Sequence, residues 1–156
     1  MSNGPTEGEA APPFALPADG GDRVSLDDFR GRKLVLYFYP KADTSGCTKE
    51  AQDFSALRKD FEKAGAAVVG VSADPTQEHD KFKEKYGLDL TLASDEARKT
   101  VEDYGVWVEK SMYGRRYMGI ERATFLIGQD GRVARVWRNV KVPGHAEEVL
   151  AAAKAL

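Results

Sequence analysis

Residues 34–52 read LVLYFYPKADTSGCTKEAQ and contain the chain's only cysteine, Cys47. The run from Leu34 to Tyr39 is short, apolar and rich in β-forming residues, which predicts a strand buried on both faces. Pro40 ends that strand because proline cannot donate to a sheet ladder. Turn and capping residues follow, and apolar residues recur at helical spacing beyond the cysteine. The stretch therefore predicts a strand, a loop and a helix, with Cys47 in or beside the first helical turn.

A thiol at the start of a helix lies close to backbone N–H groups that have no intrahelical partner and to the positive end of the helix dipole. Both favour the thiolate, which is the nucleophilic form of cysteine. A lone cysteine can also be a small buried apolar residue, because reactivity depends on environment and not on residue type. Composition alone leaves both interpretations of Cys47 open.

The flanking segments predict further strands and helices. Residues 14–16 and 23–25 form a short hairpin around the turn Asp19–Asp22. A second buried strand, residues 67–72, follows the Cys47 helix, so the two strands and the helix make a parallel βαβ unit. Helices are expected over residues 75–86, 95–104 and 145–156, a short strand over 90–93, and a terminal antiparallel hairpin over 123–128 and 133–138.

This order of elements predicts an α/β, thioredoxin-like fold: a central mixed β-sheet flanked by helices, with a short N-terminal β-hairpin extension. We expect a single domain over residues 1–156, in which residues 1–7 are a flexible arm.

Residues 106–119 are predicted to be a long irregular connection that covers a pocket, meets a protein or simply plugs the sheet edge. His79 and His145 have no neighbouring ligand pattern, and we interpret both as surface residues.

The composition excludes several classes of function. The net charge is −2, and the charged residues, 31% of the chain, are interspersed in sign, so no nucleic-acid or anionic-membrane footprint is expected. No apolar stretch reaches the ~20 residues of a membrane span, and neither a secretory nor a transit signal is expected. One cysteine excludes an internal disulfide and a cysteine-cluster metal site. A cytoplasmic protein is the expectation.

The motif Pro40-x-x-x-Thr44-x-x-Cys47 resembles the active-site signature of peroxiredoxins. The longer stretch YFYPKADTSGCTKEA, residues 37–51, is similar to the bacterioferritin-comigratory-protein or PrxQ branch of that family. The similarity also includes GEAAP at 8–12, VSLDDFRG at 24–31, VGVS at 69–72 and RATFLI at 122–127. It therefore covers nearly the whole chain.

The resemblance implies a role for each matching residue. Cys47 is the peroxidatic nucleophile, Thr44 bonds the bound peroxide through its hydroxyl, and Pro40 shields the sulfur from bulk water. Arg122 matches the active-site arginine, which stabilises the thiolate and donates to the peroxide oxygen. Glu50 lies one helical turn after the cysteine and is expected to anchor the guanidinium. A thiolate attacking a hydroperoxide becomes a sulfenic acid, so no metal or organic cofactor is required.

The sequence departs from many relatives in lacking a second, resolving cysteine. That cysteine often lies five positions after the first, where this chain has Gln52, or on the next helix, where residues 82–84 contain none. The resemblance therefore implies a one-cysteine cycle, in which an external thiol must regenerate Cys47. Glutathione with glutaredoxin, or thioredoxin, are the candidate reductants, and relatives on this branch suggest a monomer.

Two other functions remain open from the sequence. A thioredoxin-like disulfide oxidoreductase would share the fold, but it needs a C-x-x-C pair and this chain has Thr44 at the attacking position. A redox sensor or chaperone-like binding module would use a single oxidation of Cys47 without turnover. The aromatic and methionine residues of segment 106–119 motivate that second alternative.

Overall fold

The computed structural model describes residues 4–156. The strands are β1 (Ala15–Pro17), β2 (Arg23–Ser25), β3 (Lys33–Phe38), β4 (Ala66–Ser72), β5 (Thr91–Ser94), β6 (Trp107–Met112), β7 (Arg115–Ile120), β8 (Ala123–Ile127) and β9 (Val133–Trp137). The helices are α1 (Ser45–Ala56), α2 (Arg58–Lys63), α3 (Thr76–Tyr86), α4 (Lys99–Asp103) and α5 (His145–Ala155).

The central sheet has the strand order β5-β4-β3-β8-β9. Strands β3, β4 and β5 are parallel, whereas β8 is antiparallel to both β3 and β9. The strands β1 and β2 pair separately as an antiparallel hairpin. The predicted thioredoxin-like fold, with a mixed sheet and an N-terminal hairpin, is confirmed.

Strand β3 is the centre of the core because its side chains alternate between two apolar layers. Leu34, Leu36 and Phe38 pack on the side of β1, β2 and α4. Val35 and Tyr37 pack on the opposite side with residues from α1, α2, α3 and α5. From Leu34 to Phe38 the strand is fully buried, which explains its continuous apolar sequence.

The predicted irregular connection over residues 106–119 is wrong. This segment forms a second antiparallel hairpin, in which β6 and β7 pair from Trp107↔Ile120 to Met112↔Arg115. Its turn is Tyr113-Gly114, and both residues have positive φ angles, 52° and 78°, as a two-residue hairpin turn requires. Seven of the twelve residues in β6 and β7 are exposed, so the alternation of apolar and polar residues that marks a half-buried strand is missing.

Two further expectations need correction. The helix predicted over residues 95–104 forms only as α4, because Arg98 adopts a left-handed conformation with φ 61° that α-helix excludes. His79 and His145 are buried rather than on the surface, with exposures of 0% and 7%. Their side-chain partners are hydroxyl groups and not acidic residues or cysteines.

The N-terminal segment lies against the domain where it is described. Of the predicted arm, residues 1–3 lie outside the described residues, and Pro5 is buried. Downstream, the Gly8 N–H donates to the Val133 carbonyl at 2.8 Å, and the Ala11 N–H donates to the Gly131 carbonyl at 2.9 Å. These bonds attach the segment to the β8–β9 turn. Within residues 4–156, no helix has the length and apolar character needed to cross a bilayer.

Candidate active site

The sheet topology brings Cys47 and Arg122 together across 75 residues of sequence. Because β8 is antiparallel to β3, with Ala123 opposite Phe38, the residue before β8 lies beside the loop that follows β3. That loop leads into α1, so Arg122 faces the first turn of the helix. The Val140 N–H donates to the Arg122 carbonyl at 3.1 Å and holds the backbone there.

Cys47 is the third residue of α1, and Thr44 is the N-cap. The Thr48 N–H donates to the Thr44 carbonyl at 2.8 Å, which is the first bond of the helix. The first turn contains no acidic residue whose negative charge would compete with a thiolate for the positive end of the helix dipole. The sulfur therefore lies where unpaired N–H groups and the helix dipole favour a negative charge.

The guanidinium of Arg122 joins Cys47 to Glu50. Its Nη2 lies 3.3 Å from Cys47 Sγ, and its Nη1 donates to Glu50 Oε1 at 2.7 Å. A Cβ atom on residue 46 would lie only 3.1 Å from Arg122 Nη2, so Gly46 permits the guanidinium to approach the helix this closely. The planar guanidinium thus donates to the Glu50 carboxylate and to the Cys47 sulfur at the same time.

The site is nearly closed, and Arg122 is the most exposed of Cys47, Glu50 and Arg122. Cys47 and Glu50 are each 1% exposed, whereas the Arg122 side chain keeps 17% of its exposure. Burial raises the pKa of Glu50 to about 7, although the Arg122 charge opposes that rise. Among residues 4–156, Glu50 Oε2 finds no hydrogen-bond partner, which is consistent with a carboxylate that is costly to ionise.

The loop between β3 and α1 is fixed by α3 and by the turn before it. The Ala42 N–H donates to Asp74 Oδ2 at 2.8 Å. Asp43 has a φ angle of 62° and accepts bonds from Tyr86 Oη at 2.6 Å and Lys85 Nζ at 3.0 Å. A non-glycine residue in the left-handed region is strained, and these contacts hold it immediately before Thr44.

Thr44 and Pro40 lie at the rim of this loop. The exposed Thr44 donates its hydroxyl hydrogen to the Lys41 carbonyl at 2.8 Å, which leaves the oxygen lone pairs available to accept a bond. Pro40 is half-buried beside the fully covered Tyr39. Gln52, at the position of the missing resolving cysteine, is exposed on α1.

A buried network around His79 holds the same loop from the β4–α3 side, and no sequence pattern indicated it. His79 Nε2 lies 2.6 Å from Tyr39 Oη and 2.9 Å from Ser72 Oγ, while Nδ1 lies 2.9 Å from Ser94 Oγ. Ser72 in turn donates to Asp74 Oδ2 at 2.6 Å. Burial lowers the pKa of His79, so the imidazole is neutral at physiological pH.

The described part of the chain contains no group of three or more histidine, cysteine, aspartate or glutamate side chains arranged to hold a metal ion. What the residues do provide is a sulfur beside a guanidinium at the start of a helix. That arrangement can stabilise a thiolate and can donate hydrogen bonds to an oxygen held near the sulfur.

The family model described as the AhpC/TSA family matches residues 8–136. The chain belongs to the AhpC/TSA family. Relatives of this peroxiredoxin include a putative peroxiredoxin Bcp of Coxiella burnetii, 50% identical over 92% of this chain and 95% of the relative. A peroxiredoxin Bcp of Bacillus subtilis is 46% identical over 92% of this chain and 91% of the relative.

Solved peroxiredoxin structures agree in fold. A crystal structure of a Xylella fastidiosa PrxQ mutant matches with a TM-score of 0.92 and 41% identity, covering 97% of this chain and 96% of that chain. A Xanthomonas campestris bacterioferritin comigratory protein matches with a TM-score of 0.87 and 46% identity, covering 91% and 90%. The chain is thus a peroxiredoxin of the Bcp/PrxQ type with a single cysteine, and a peroxidase among the oxidoreductases.

Proposed function

We propose that this peroxiredoxin reduces hydrogen peroxide and organic hydroperoxides through a sulfenic acid on Cys47, which an external thiol then reduces. The observation that carries the proposal is the 3.3 Å contact between Arg122 Nη2 and Cys47 Sγ, in a guanidinium that Glu50 anchors. The relative from Xanthomonas campestris, which reduces alkyl peroxides, supports an organic hydroperoxide as one substrate.

In the first half-reaction, the Cys47 thiolate attacks the terminal peroxide oxygen. A sulfur–oxygen bond forms, the O–O bond breaks, and the leaving alkoxide or hydroxide takes up a proton. Arg122 donates to the oxygen on which negative charge grows, and a donor of that kind contributes about 10²–10³-fold in rate. Thr44 accepts the hydrogen bond of the peroxide O–H through its free lone pairs, and Pro40 limits the access of water.

In the second half-reaction, an external thiol condenses with the sulfenic acid and releases water, and a second thiol releases the mixed disulfide. With one cysteine in the chain, no internal disulfide can replace this step. Glutathione with glutaredoxin, or thioredoxin directly, are the reductants we propose. Excess peroxide will compete with the thiol and convert Cys47 to the sulfinic acid.

The test combines peroxide consumption with mass spectrometry of Cys47. We expect many equivalents of peroxide to be reduced per protein when glutathione and glutaredoxin, or thioredoxin and its reductase, are present. Intact mass should show a gain of one oxygen after one equivalent of peroxide, and a glutathione adduct after glutathione is added. A single stoichiometric oxidation with no turnover under either reducing system would instead support the redox-sensor function and contradict the enzyme.

A further inference from the structure

Lys110 on β6 is directed toward the active site. It pairs across the hairpin with Tyr117, but its stem lies over Gly119, where an added Cβ would be 3.2 Å from Lys110 Cδ and 3.4 Å from Cε. The side chain therefore runs along β7 toward the end at which the chain continues into Arg122. Burial lowers the pKa of Lys110 and the Arg122 charge lowers it further, while Cys47 and Glu121 oppose that fall. Gly119 makes this path possible because a larger residue would crowd the stem.

The ammonium of Lys110 has no carboxylate of its own within residues 4–156. Glu121, the residue before Arg122, is held by two bonds from Arg138, at 2.8 and 3.1 Å, and by the Asn139 N–H at 2.9 Å. Glu109, the residue before Lys110, pairs with Arg116 at 3.4 Å. Glu50 is committed to Arg122. A half-buried cation without a paired anion is costly unless a ligand supplies the anion.

The balance of charge at the site changes during the cycle. In the reduced enzyme, the Cys47 thiolate and the ionised fraction of Glu50 offset the charges of Arg122 and Lys110. Oxidation to the sulfenic acid removes the charge on sulfur, so the site gains one unit of excess positive charge. The excess appears in the state that meets the reducing thiol, whereas the reduced enzyme meets a neutral peroxide. A negatively charged thiol is therefore favoured at the step that needs it.

We propose that Lys110 is a binding residue for a carboxylate of the reducing thiol, so that the oxidised enzyme selects small anionic thiols. This inference rests on the proposed function. The incoming thiolate attacks Cys47 Sγ, a sulfur–sulfur bond forms, the S–O bond breaks, and the departing hydroxide takes a proton from solvent to become water. Lys110 holds the carboxylate while Arg122 remains beside the sulfur. Tyr117 and Met112 lie on the same face of the hairpin as Lys110.

The experiment measures how fast preformed sulfenic acid reacts with thiols of different charge. The enzyme is oxidised with one equivalent of hydrogen peroxide and mixed at low ionic strength with glutathione or with glutathione diethyl ester, which lacks the carboxylates. We expect Lys110→Met, which keeps an unbranched stem over Gly119, to lower the ratio of the two rate constants about ten-fold. Lys110→Arg should restore most of it, and added salt should reduce the ratio in the wild type.

Arg115→Met is the matched control, because it removes an exposed cation from the far end of the same hairpin face and changes the net charge equally. Its ratio should equal that of the wild type. An equal loss of both rates in Lys110→Met, or a ratio equal to that of the wild type, would overturn the inference. Failure of the wild type to form a sulfenic acid would instead contradict the proposed function, and with it this step.

Discussion

Two different kinds of structure hold the active-site loop, one on each side. On the α1–β8 side, a charged pair, Arg122 and Glu50, contacts the sulfur directly. On the β4–α3 side, a buried network of hydroxyls around a neutral His79 holds Tyr39, and Asp74 of that network holds the loop backbone. The two sides thus have separate roles. The Arg122–Glu50 side supplies charge at the sulfur, and the His79 side fixes the position of the loop. Changes on the first side should alter the chemistry of Cys47 or the pH dependence of stability, whereas changes on the second should leave that chemistry intact and alter stability and substrate positioning.

Arg122→Met should have the largest effect, because it removes the only described side chain with a hydrogen bond to the sulfur. We expect the rate of oxidation by hydrogen peroxide to fall about 10²–10³-fold, and the thiolate absorbance near neutral pH to fall as well. Stopped-flow fluorescence and ultraviolet titration would measure the two. Arg115→Met is the control. A variant that reacted within a few-fold of the wild-type rate would show that the charged side does not control the chemistry.

Glu50→Gln tests the buried carboxylate. Burial raises the Glu50 pKa from 4.5 to about 7. Because the folded-state pKa is raised, the stability that this group contributes is present below pH ~4.5 and is lost as the pH rises through about 7. The variant should therefore gain free energy of unfolding relative to the wild type, by about 1–3 kcal/mol, between pH 5 and 8. Urea unfolding across that range measures the difference. The prediction is contradicted if the unfolding free energies of the variant and the wild type change with pH in parallel.

His79→Gln tests the neutral side. Burial lowers the His79 pKa below its ordinary value of 6.5. Stability that depends on the neutral imidazole is thus present above pH ~6.5 and is lost as the pH falls through the depressed pKa. At pH 7.5 the variant should lose about 1–3 kcal/mol of unfolding free energy through broken buried bonds. When the pH is lowered, the variant should lose less unfolding free energy than the wild type does. The fraction of thiolate should not change, and a large change would place His79 on the charged side of the comparison.

Tyr86→Phe should have the smallest effect. It removes the 2.6 Å bond to Asp43 and leaves the ring in place. A lost bond at a half-exposed site is worth about 1 kcal/mol, which corresponds to a rise of up to about five-fold in the KM for peroxide with little change in kcat. Tyr113→Phe is the control, since Tyr113 is 98% exposed. Equal KM values for the two variants would show that the Asp43 tether does not position the loop.

The two sides also differ in how well they could be predicted. On the charged side, Cys47, Arg122 and Glu50 were all candidates from the family motif and the helix pattern, and the structure puts them within contact distance. On the neutral side, His79 was misinterpreted as a surface residue, because serine and tyrosine hydroxyls carry no distinctive sequence signal. The hairpin β6–β7 was missed for a related reason, since its mostly exposed strands lack the alternation that a buried face imposes.

Local pattern was sufficient for the strand that ends at Pro40, the helix that starts before Cys47 and the order of the α/β elements. These features depend on periodicity, capping and β-propensity over short stretches. The 3.3 Å approach of Arg122 to the sulfur, the His79 network and the direction of Lys110 depend on the antiparallel pairing of β8 with β3 and on packing between distant segments. Such contacts form only when segments that are distant in sequence pack together, and no short-range pattern encodes that packing.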